Sequence, residues 1–588
     1  MSLFEPIGDH DWRLALRADV LLAEFNRAGV VESSDVHVAT RVGDLAGETD
    51  GRVLLAVALA VRAVRHGSVC VDLATVPAIA PELSWPEPTA WTAAVVGSPL
   101  VEQGAVRVEH GLLYLDRYHR LEHQVCDDLF ARVRPTAPEV DESYLEATLA
   151  RIGGKHFSDE QRDAAVRATR QSTTVLTGGP GTGKTSTVAR ILALLADQAR
   201  ARDGRLSIAL TAPTGKAASR LQEAVERELL SLPDDDAARV GTLEPMTLHR
   251  LLGWRPDNAT RFRHHRGNRL KYDVVVVDEA SMVELTMMAR LLEALRPAAR
   301  LLLVGDPRQL TSVGAGAVLS DLVAGFEGDS SSPMVSLTEN FRSTQDIKAV
   351  AEALRRGDAD GVLAALRASS AEVEFVETDD AAAALRPDAV AAALDVRRAA
   401  ERGDAEAAVR ALDEHRLLCA HREGPHGVRH WNRQVEHWLG EAIGQDLHSE
   451  WYVGRPLLVT ANDYALEIYN GETGVVVLRD DGRLRARIAG TGGLRDFATG
   501  RLDAVDTMHA MTIHKSQGSQ ARRVTVLLPD ADSRLLTREL FYTAVTRAQE
   551  QVRVVGSEAA VRAAVATHAQ RATGLSQRLR AARREQDT

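Results

Sequence analysis

Short apolar runs recur along this chain, each ending in a polar turn. Thr174-Val175-Leu176-Thr177, Ile208-Ala209-Leu210-Thr211, Val274-Val275-Val276-Val277 and Leu301-Leu302-Leu303-Val304 read as buried strands. Val524 to Leu528 and Gln551 to Val555 repeat the pattern near the C-terminus. Four consecutive valines leave no polar face, as in a parallel sheet covered on both sides. Helix-period segments follow several of these runs, most clearly Thr187 to Ala196 (TVARILALLA). Ser158 is an expected N-cap, with Gln161 at the third position completing a capping box. The pattern predicts an α/β protein built on parallel sheets.

Outside these runs the pattern changes. Trp12, Leu14, Leu16, Val20, Leu21, Leu22 and Phe25 predict one amphipathic helix, and Val53 to Arg65 a second. Gly67 to Leu73 reads as a short strand, and Leu112 to Tyr118 as a strand entering a helix, so residues 1–125 form an α-rich N-terminal domain. Residues 126–154, with Pro135 and Pro138 in a polar run, read as a linker. Residues 346 to 415 are rich in Ala, Arg, Asp and Glu and predict helices, including one over Ala391 to Arg416. Residues 445–505 switch to short strands, with Asp480-Asp481-Gly482 as a hairpin turn, and predict a small β-barrel insertion. Residues 566–588 form a charged C-terminal tail, of which 570–588 are expected to fray.

At 588 residues the chain holds several domains. Its composition, 45% hydrophobic and 26% charged, is that of a globular protein. The net charge of −11 excludes a nucleic-acid binder that is basic all over, while a local basic groove remains compatible. Cys70, Cys126 and Cys419 are too few and too far apart for a disulfide framework or a C-x-x-C metal site. The N-terminus lacks a basic segment and an apolar core, and the apolar run Val53 to Val64 is too short to span a bilayer. A cytoplasmic protein without membrane contact is expected.

The chemistry concentrates at Gly178, Gly179, Pro180, Gly181, Thr182, Gly183, Lys184, Thr185 and Ser186, between a strand and a helix. Gly178 to Thr185 fits G-x-x-x-x-G-K-[ST]. Glycines let backbone N–H groups form a nest for phosphate, and the helix N-terminus adds a positive dipole end. Lys184 would reach the β- and γ-phosphates and Thr185 would hold Mg²⁺. Asp278 and Glu279 end the valine strand, where adjacent carboxylates are costly without a cation. Asp278 suits the metal shell and Glu279 the attacking water. Gln309, in a turn after the next strand, is placed to sense the γ-phosphate, Arg342 can neutralise the transferred phosphoryl, and Arg547 lies on a helix that could face the nucleotide from a second domain. Gln161 has an amide suited either to capping or to reading an adenine edge.

Other polar loops suit a nucleic-acid backbone. Thr214 and Lys216 sit in one strand–helix turn, His249 carries a weaker signal, and Thr512, His514, Lys515 and Gln517 share one loop. Arg261 to Lys271 is a basic stretch, a DNA-facing patch or a solvated face. His119 and His123 stand at i, i+4, and two ligands alone make no metal site. The same holds for His421, His426 and His430, which lack companions at fitting spacing.

In order, GGPGTGKT, TAPTGKAA, VDEASM, GDPRQL, NFR, TIHKSQGS and ELFYTAVTRA form an ensemble more specific than any single member. It resembles the superfamily 1 DNA helicases, and within them the RecD family, alpha subunits of the RecBCD exodeoxyribonuclease V. The resemblance covers residues 155 to 560. Departures are Thr311-Ser312-Val313-Gly314 after the QL pair, Glu472 in Asn470-Gly471-Glu472, and Gln520 where an acidic residue is common. The resemblance implies two RecA-like motor domains, at 155–335 and 336–565, with an SH3-like insertion in the second. It implies a 5′→3′ single-strand translocase using ATP and Mg²⁺, acting at duplex DNA ends in break repair and recombination. Gln161 would read adenine, and Thr214, Lys216, His249, Thr512, His514, Lys515 and Gln517 would hold the single strand. RecB-like and RecC-like subunits would complete a heterotrimer, with the nuclease on another chain. A stand-alone helicase and a non-hydrolysing ATP-binding subunit are the alternatives.

Overall fold

Val274–Val277 lies inside a six-stranded parallel sheet of the computed structural model, with all four side chains buried. The structure describes residues 4, 6, 8 and 10–584, except 134–137, 154–156, 203, 256–260, 312–313, 329–331, 340, 342–344, 369, 379, 448, 464, 491–492 and 570. The strand order is Pro245–Thr247, Ile208–Ala212, Val274–Val277, Arg300–Gly305, Thr173–Gly178 and Met334–Leu337. All pairs are parallel, so every strand delivers its following loop to one edge of the sheet. Helix Lys184–Arg200 covers one face through Val188, Ile191, Leu192 and Leu195, and helix Leu285–Ala294 covers the other through Met288, Leu291 and Leu292.

A second, five-stranded parallel sheet runs Val373–Glu377, Ala548–Gly556, Ala521–Leu527, His415–Cys419 and Ala510–Thr512. The two sheets are the two motor domains expected from the sequence. Residues 456–507 form a five-stranded antiparallel sheet around Leu457, Val459, Val476 and Ile488. Its Asp-Gly hairpin turns at Gly482, whose φ of 78° favours glycine. The N-terminal domain is helical, with a three-stranded antiparallel sheet, and its core gathers Leu22, Phe25, Leu55, Leu59 and Trp91.

Four expectations change. The first helix starts only at Val20, where the Asp19 carboxylate caps the Leu21 N–H; Trp12 and Leu16 upstream are exposed. The expected linker is structured. Helix Asp116–Val133 runs well into it, and helix Glu142–Ile152 buries Leu145, Leu149 and Ile152 against the helix that follows the glycine loop. The long alanine-rich helix ends at Glu401. A turn at Gly403 (φ 71°) starts another helix, Ala405–Glu414, and then the strand His415–Cys419. The described part of the charged tail is helical: helix Leu575–Arg584 buries Leu575 and Leu579 among side chains of the first motor and of helix Asp116–Val133. A backbone bond from Val69 N–H to Ala572 O at 2.9 Å, and a Thr573–Asp321 bond of 2.7 Å, hold its approach.

Candidate nucleotide and nucleic-acid site

The glycine loop follows strand Thr173–Gly178 and ends at Gly183, the N-cap of helix Lys184–Arg200. Gly181 and Gly183 have φ of 82° and 77°, the left-handed region where a Cβ is strained. A Cβ on Gly183 would also collide with Gln161 Nε2. Lys184 Nζ reaches across the loop to the carbonyl oxygens of Gly178 (2.7 Å) and Gly179 (2.9 Å). Thr182 Oγ1 donates to Gly179 O at 2.9 Å. Phe341 N–H donates to Gly181 O at 2.9 Å, so the chain entering the second motor lies against the loop. Gln161 is buried and closes the capping box with Ser158; its Nε2 lies 3.5 Å from Thr182 O. That geometry matches the capping alternative. Ser186 turns away from the loop to Glu228 (2.9 Å) and Arg190, a departure from its expected place at the phosphates.

Asp278 and Glu279 stand at the carboxyl end of strand Val274–Val277, and Asp278 N–H bonds Thr211 O at 2.9 Å. Burial pushes the Asp278 carboxyl up, the adjacent Glu279 adds to this, and Lys184 opposes it. Glu279 holds a φ of 49°, rare for a residue with a side chain and worth about 1–2 kcal/mol of strain. Two half-buried adjacent acids beside one lysine and a glycine nest form a donor set that fits a divalent cation carrying a nucleotide.

The second motor closes over this edge. Arg547, 4% exposed, donates to Thr543 O (3.1 Å), Ser519 O (3.3 Å) and Gln309 Oε1 (2.7 Å). Burial lowers its pKa, while Glu279, Asp306 and Tyr542 act in the opposite direction. Gln309 Nε2 lies 3.4 Å from Asp306 Oδ2, and Tyr542 OH donates to the same oxygen at 3.0 Å. A Cβ on Gly179 would stand 3.2 Å from the Tyr542 hydroxyl. Sequence reasoning assigned no role to Asp306, Tyr542 or Thr543, because their partners lie more than 200 positions away, as with the 236 between Tyr542 and Asp306. Arg342 falls outside the described residues.

Among the expected DNA contacts, Thr214 Oγ1 caps helix Gly215–Leu229, and His249 follows the adjacent strand on the same sheet edge. Lys216 Nζ reaches Thr473 Oγ1 of the antiparallel sheet at 3.4 Å, with its pKa lowered by burial and by Arg416 and Arg220. Lys515 Nζ reaches Asn470 Oδ1 at 3.3 Å, and Thr512 Oγ1 caps the Lys515 N–H at 3.2 Å. Burial lowers the His514 pKa. Lys216 and Lys515 therefore meet the antiparallel sheet at Thr473 and Asn470, a strand start and the loop before it, from opposite motors. Gln517 does not join them: it is buried and donates to Leu310 O at 2.7 Å. In the basic stretch 261–271, Arg266 pairs with Asp128 (2.9 Å) and Arg269 donates to Leu295 O, contacts that pack it on neighbouring helices.

His119 and His123 gain a third polar neighbour, Glu109, and the three donor atoms lie within 4.8 Å of one another. The Arg578 guanidinium donates to both Glu109 (2.7 Å) and His123, so a fixed cation already occupies this group. His421 and His426 instead approach Ser533 (2.8 Å) and Asp530 (3.7 Å), and among the described residues no such group forms around them.

A phosphate loop, a strand-end acid pair and an arginine supplied across two parallel-sheet domains define an ATP-dependent DNA helicase of the P-loop class. Family models match residues 161–315 (AAA domain), 507–555 (UvrD-like helicase C-terminal domain) and 27–109 (RecBCD enzyme subunit RecD, N-terminal domain). The RecBCD enzyme subunit RecD of Mycolicibacterium smegmatis is 59% identical over 562 residues, covering 94% of this chain and 98% of its own. That of Mycobacterium tuberculosis is 56% identical over 574 residues, covering 97% and 98%. The ATP-dependent RecD2 DNA helicase of Deinococcus radiodurans is 31% identical over 489 residues, covering 82% of this chain and 61% of its own. The chain belongs to the RecD family of RecBCD enzyme subunits. No helix among the described residues is long and apolar enough to cross a membrane.

Proposed function

We propose that this chain is a 5′→3′ single-strand DNA motor that works with RecB-like and RecC-like partners at duplex ends in the cytoplasm. The observation that carries this reading is the Arg547–Gln309 bond of 2.7 Å, which joins the two motors at the nucleotide edge. The backbone N–H groups of Gly179 to Thr185 would cradle the phosphates. Lys184 would leave the Gly178 and Gly179 carbonyls for the β- and γ-phosphates. Thr185 and Asp278 would hold Mg²⁺, which supplies charge neutralisation on the phosphates when bound. Glu279 orients and deprotonates the attacking water, and Arg547, with Arg342, faces the transferred phosphoryl. A site completed only when both motors meet couples each hydrolysis to closing and opening of the cleft.

Thr214, Lys216, His249, Thr512, His514 and Lys515 would hold the single strand along the seam between the motors and the antiparallel sheet. The residue types support backbone contacts without sequence preference. The motor domains would span 155–335 and 336–565, and the 59% identity to a RecBCD subunit along nearly the whole chain favours the complex over a lone helicase.

The test is unwinding of 5′-tailed and 3′-tailed duplexes by the reconstituted complex, with wild type and Lys184→Gln compared. The reading expects the 5′-tailed activity to disappear with the substitution. Loss confined to 3′-tailed substrates contradicts it, and full unwinding by the lone chain at low concentration favours the stand-alone alternative.

A further inference from the structure

The turn Asp306–Leu310 belongs to the first motor by chain order, yet the second motor grips it. Leu310 is 6% exposed and packs in the second motor's core with Val350, Phe541 and Val545. Both of its backbone groups are bonded by the second motor: its N–H donates to Thr543 Oγ1 at 3.0 Å, and its carbonyl accepts from Gln517 Nε2 at 2.7 Å. Tyr542 OH holds Asp306 Oδ2 at 3.0 Å, and Asp306 Oδ1 accepts the Arg308 N–H at 3.0 Å. Gln309 lies between these anchors, with its side-chain oxygen on Arg547 at 2.7 Å. Its orientation is thus set on both sides by the second motor. Gln517 is 8% exposed, while its neighbour Lys515 is exposed and turned to Asn470. One loop therefore carries two kinds of side chain: Lys515 outward at the seam, Gln517 inward at the nucleotide edge. Arg220 bonds the Gly518 carbonyl at 2.9 Å and pins the same loop from the first motor.

We propose that Gln517 is a positioning residue for ATP hydrolysis rather than a DNA contact. Through the Leu310 carbonyl it seats the Asp306–Leu310 turn so that Gln309 meets Arg547, and Tyr542 does the same through Asp306. Because Lys515 and Gln517 are two residues apart, a strand that displaces Lys515 moves the Leu310 anchor with it. This gives DNA a short path to the hydrolytic groups. The inference rests on Gln309 and Arg547 belonging to the ATP site.

The experiment uses the full chain and a fluorescent oligo-dT strand. Gln517→Ala is compared with wild type for strand affinity by anisotropy, and for kcat and KM(ATP) at saturating strand. The inference expects affinity within about twofold of wild type, KM within about threefold, and kcat lower by about 5–30-fold, the factor carried by one lost buried hydrogen bond. Tyr542→Phe keeps the ring, removes only the hydroxyl, and is expected to show the same split at an unchanged melting temperature; it decides the matter if Gln517→Ala does not fold. A tenfold loss of strand affinity with normal kcat at saturation overturns the inference, and so do unchanged kinetics in both variants. Absence of strand-stimulated ATPase in wild type overturns instead the reading of the ATP site, and this inference with it.

Discussion

Replacing Arg547 by Ala removes a guanidinium that holds three acceptors at once, at 3.1, 3.3 and 2.7 Å. Two effects separate by magnitude. Loss of an arginine facing a transferred phosphoryl costs on the order of 10³–10⁵ in kcat, equivalent to about 4–7 kcal/mol of barrier. The structural loss is smaller. A buried charged donor contributes about 1.5–3 kcal/mol per bond before its own desolvation is counted, so the net change is about 2–4 kcal/mol. A second-motor domain of this size absorbs that as a shift of several degrees in melting temperature. Arg547→Lys keeps the charge, but one ammonium on a flexible stem cannot fork to Gln309, Thr543 and Ser519 together; it is expected to recover less than about a tenth of the wild-type rate. Strand-stimulated ATPase at saturating ATP, read beside differential scanning fluorimetry, distinguishes the two effects. A kcat within tenfold of wild type in a destabilised Arg547→Ala protein would mean that the arginine is a clasp between domains and no part of the chemistry.

Gly183→Ala forces a left-handed φ on a residue with a Cβ and collides with Gln161; about 2–3 kcal/mol of local cost is expected to raise KM for ATP at least tenfold, measured by ATPase titration. Leu579→Ala removes a fully buried side chain where the tail helix meets Gly325; chemical denaturation is expected to show a loss of about 2–5 kcal/mol, whereas a fraying tail would show none. Burial pushes the Glu109 carboxyl up, but hydrogen bonds from Arg578 and His119 outweigh it and bring it down to about 2. Its stabilising contribution is therefore complete above the unfolded value near 4.5 and is lost as pH falls from there towards 2. The melting-temperature gap between wild type and Glu109→Gln, equivalent to about 1–2 kcal/mol after allowing for solvent screening, is expected to hold at pH 6–8 and shrink below pH 4.5.

What could be read from the sequence follows how local each cause is. The glycine loop was legible because its function is a backbone conformation, and Gly181 and Gly183 adopt it. The valine strand was legible because a run without a polar face has one stable place, between two layers. The Asp-Gly hairpin was legible for the same local reason. Three misreadings share the opposite cause. Gln517 was grouped with the phosphate contacts because an amide in a polar loop has no sequence mark of which way it faces; in the structure its amide turns inward to Leu310 O, 207 positions earlier. The tail looked mobile because its charges dominate, although Leu575 and Leu579 at helical spacing carried the packing signal. The strand His415–Cys419 was hidden because its short apolar core sits in alanine-rich helical surroundings, and only pairing with Ala521–Leu527 and Ala510–Thr512 makes it a strand. Ser186 was read as part of the loop by adjacency, but a helix turns successive side chains away from one another, and its hydroxyl meets Glu228 instead.

The most direct test of the central claim is strand-stimulated ATP hydrolysis by wild type and Lys184→Gln. Lys184 bonds two loop carbonyls, so near-UV circular dichroism and the melting curve are recorded beside the rate to establish that the variant folds. The account predicts a folded protein that binds oligo-dT and has lost strand-stimulated turnover by at least about 100-fold. An unchanged rate in the folded variant would contradict it.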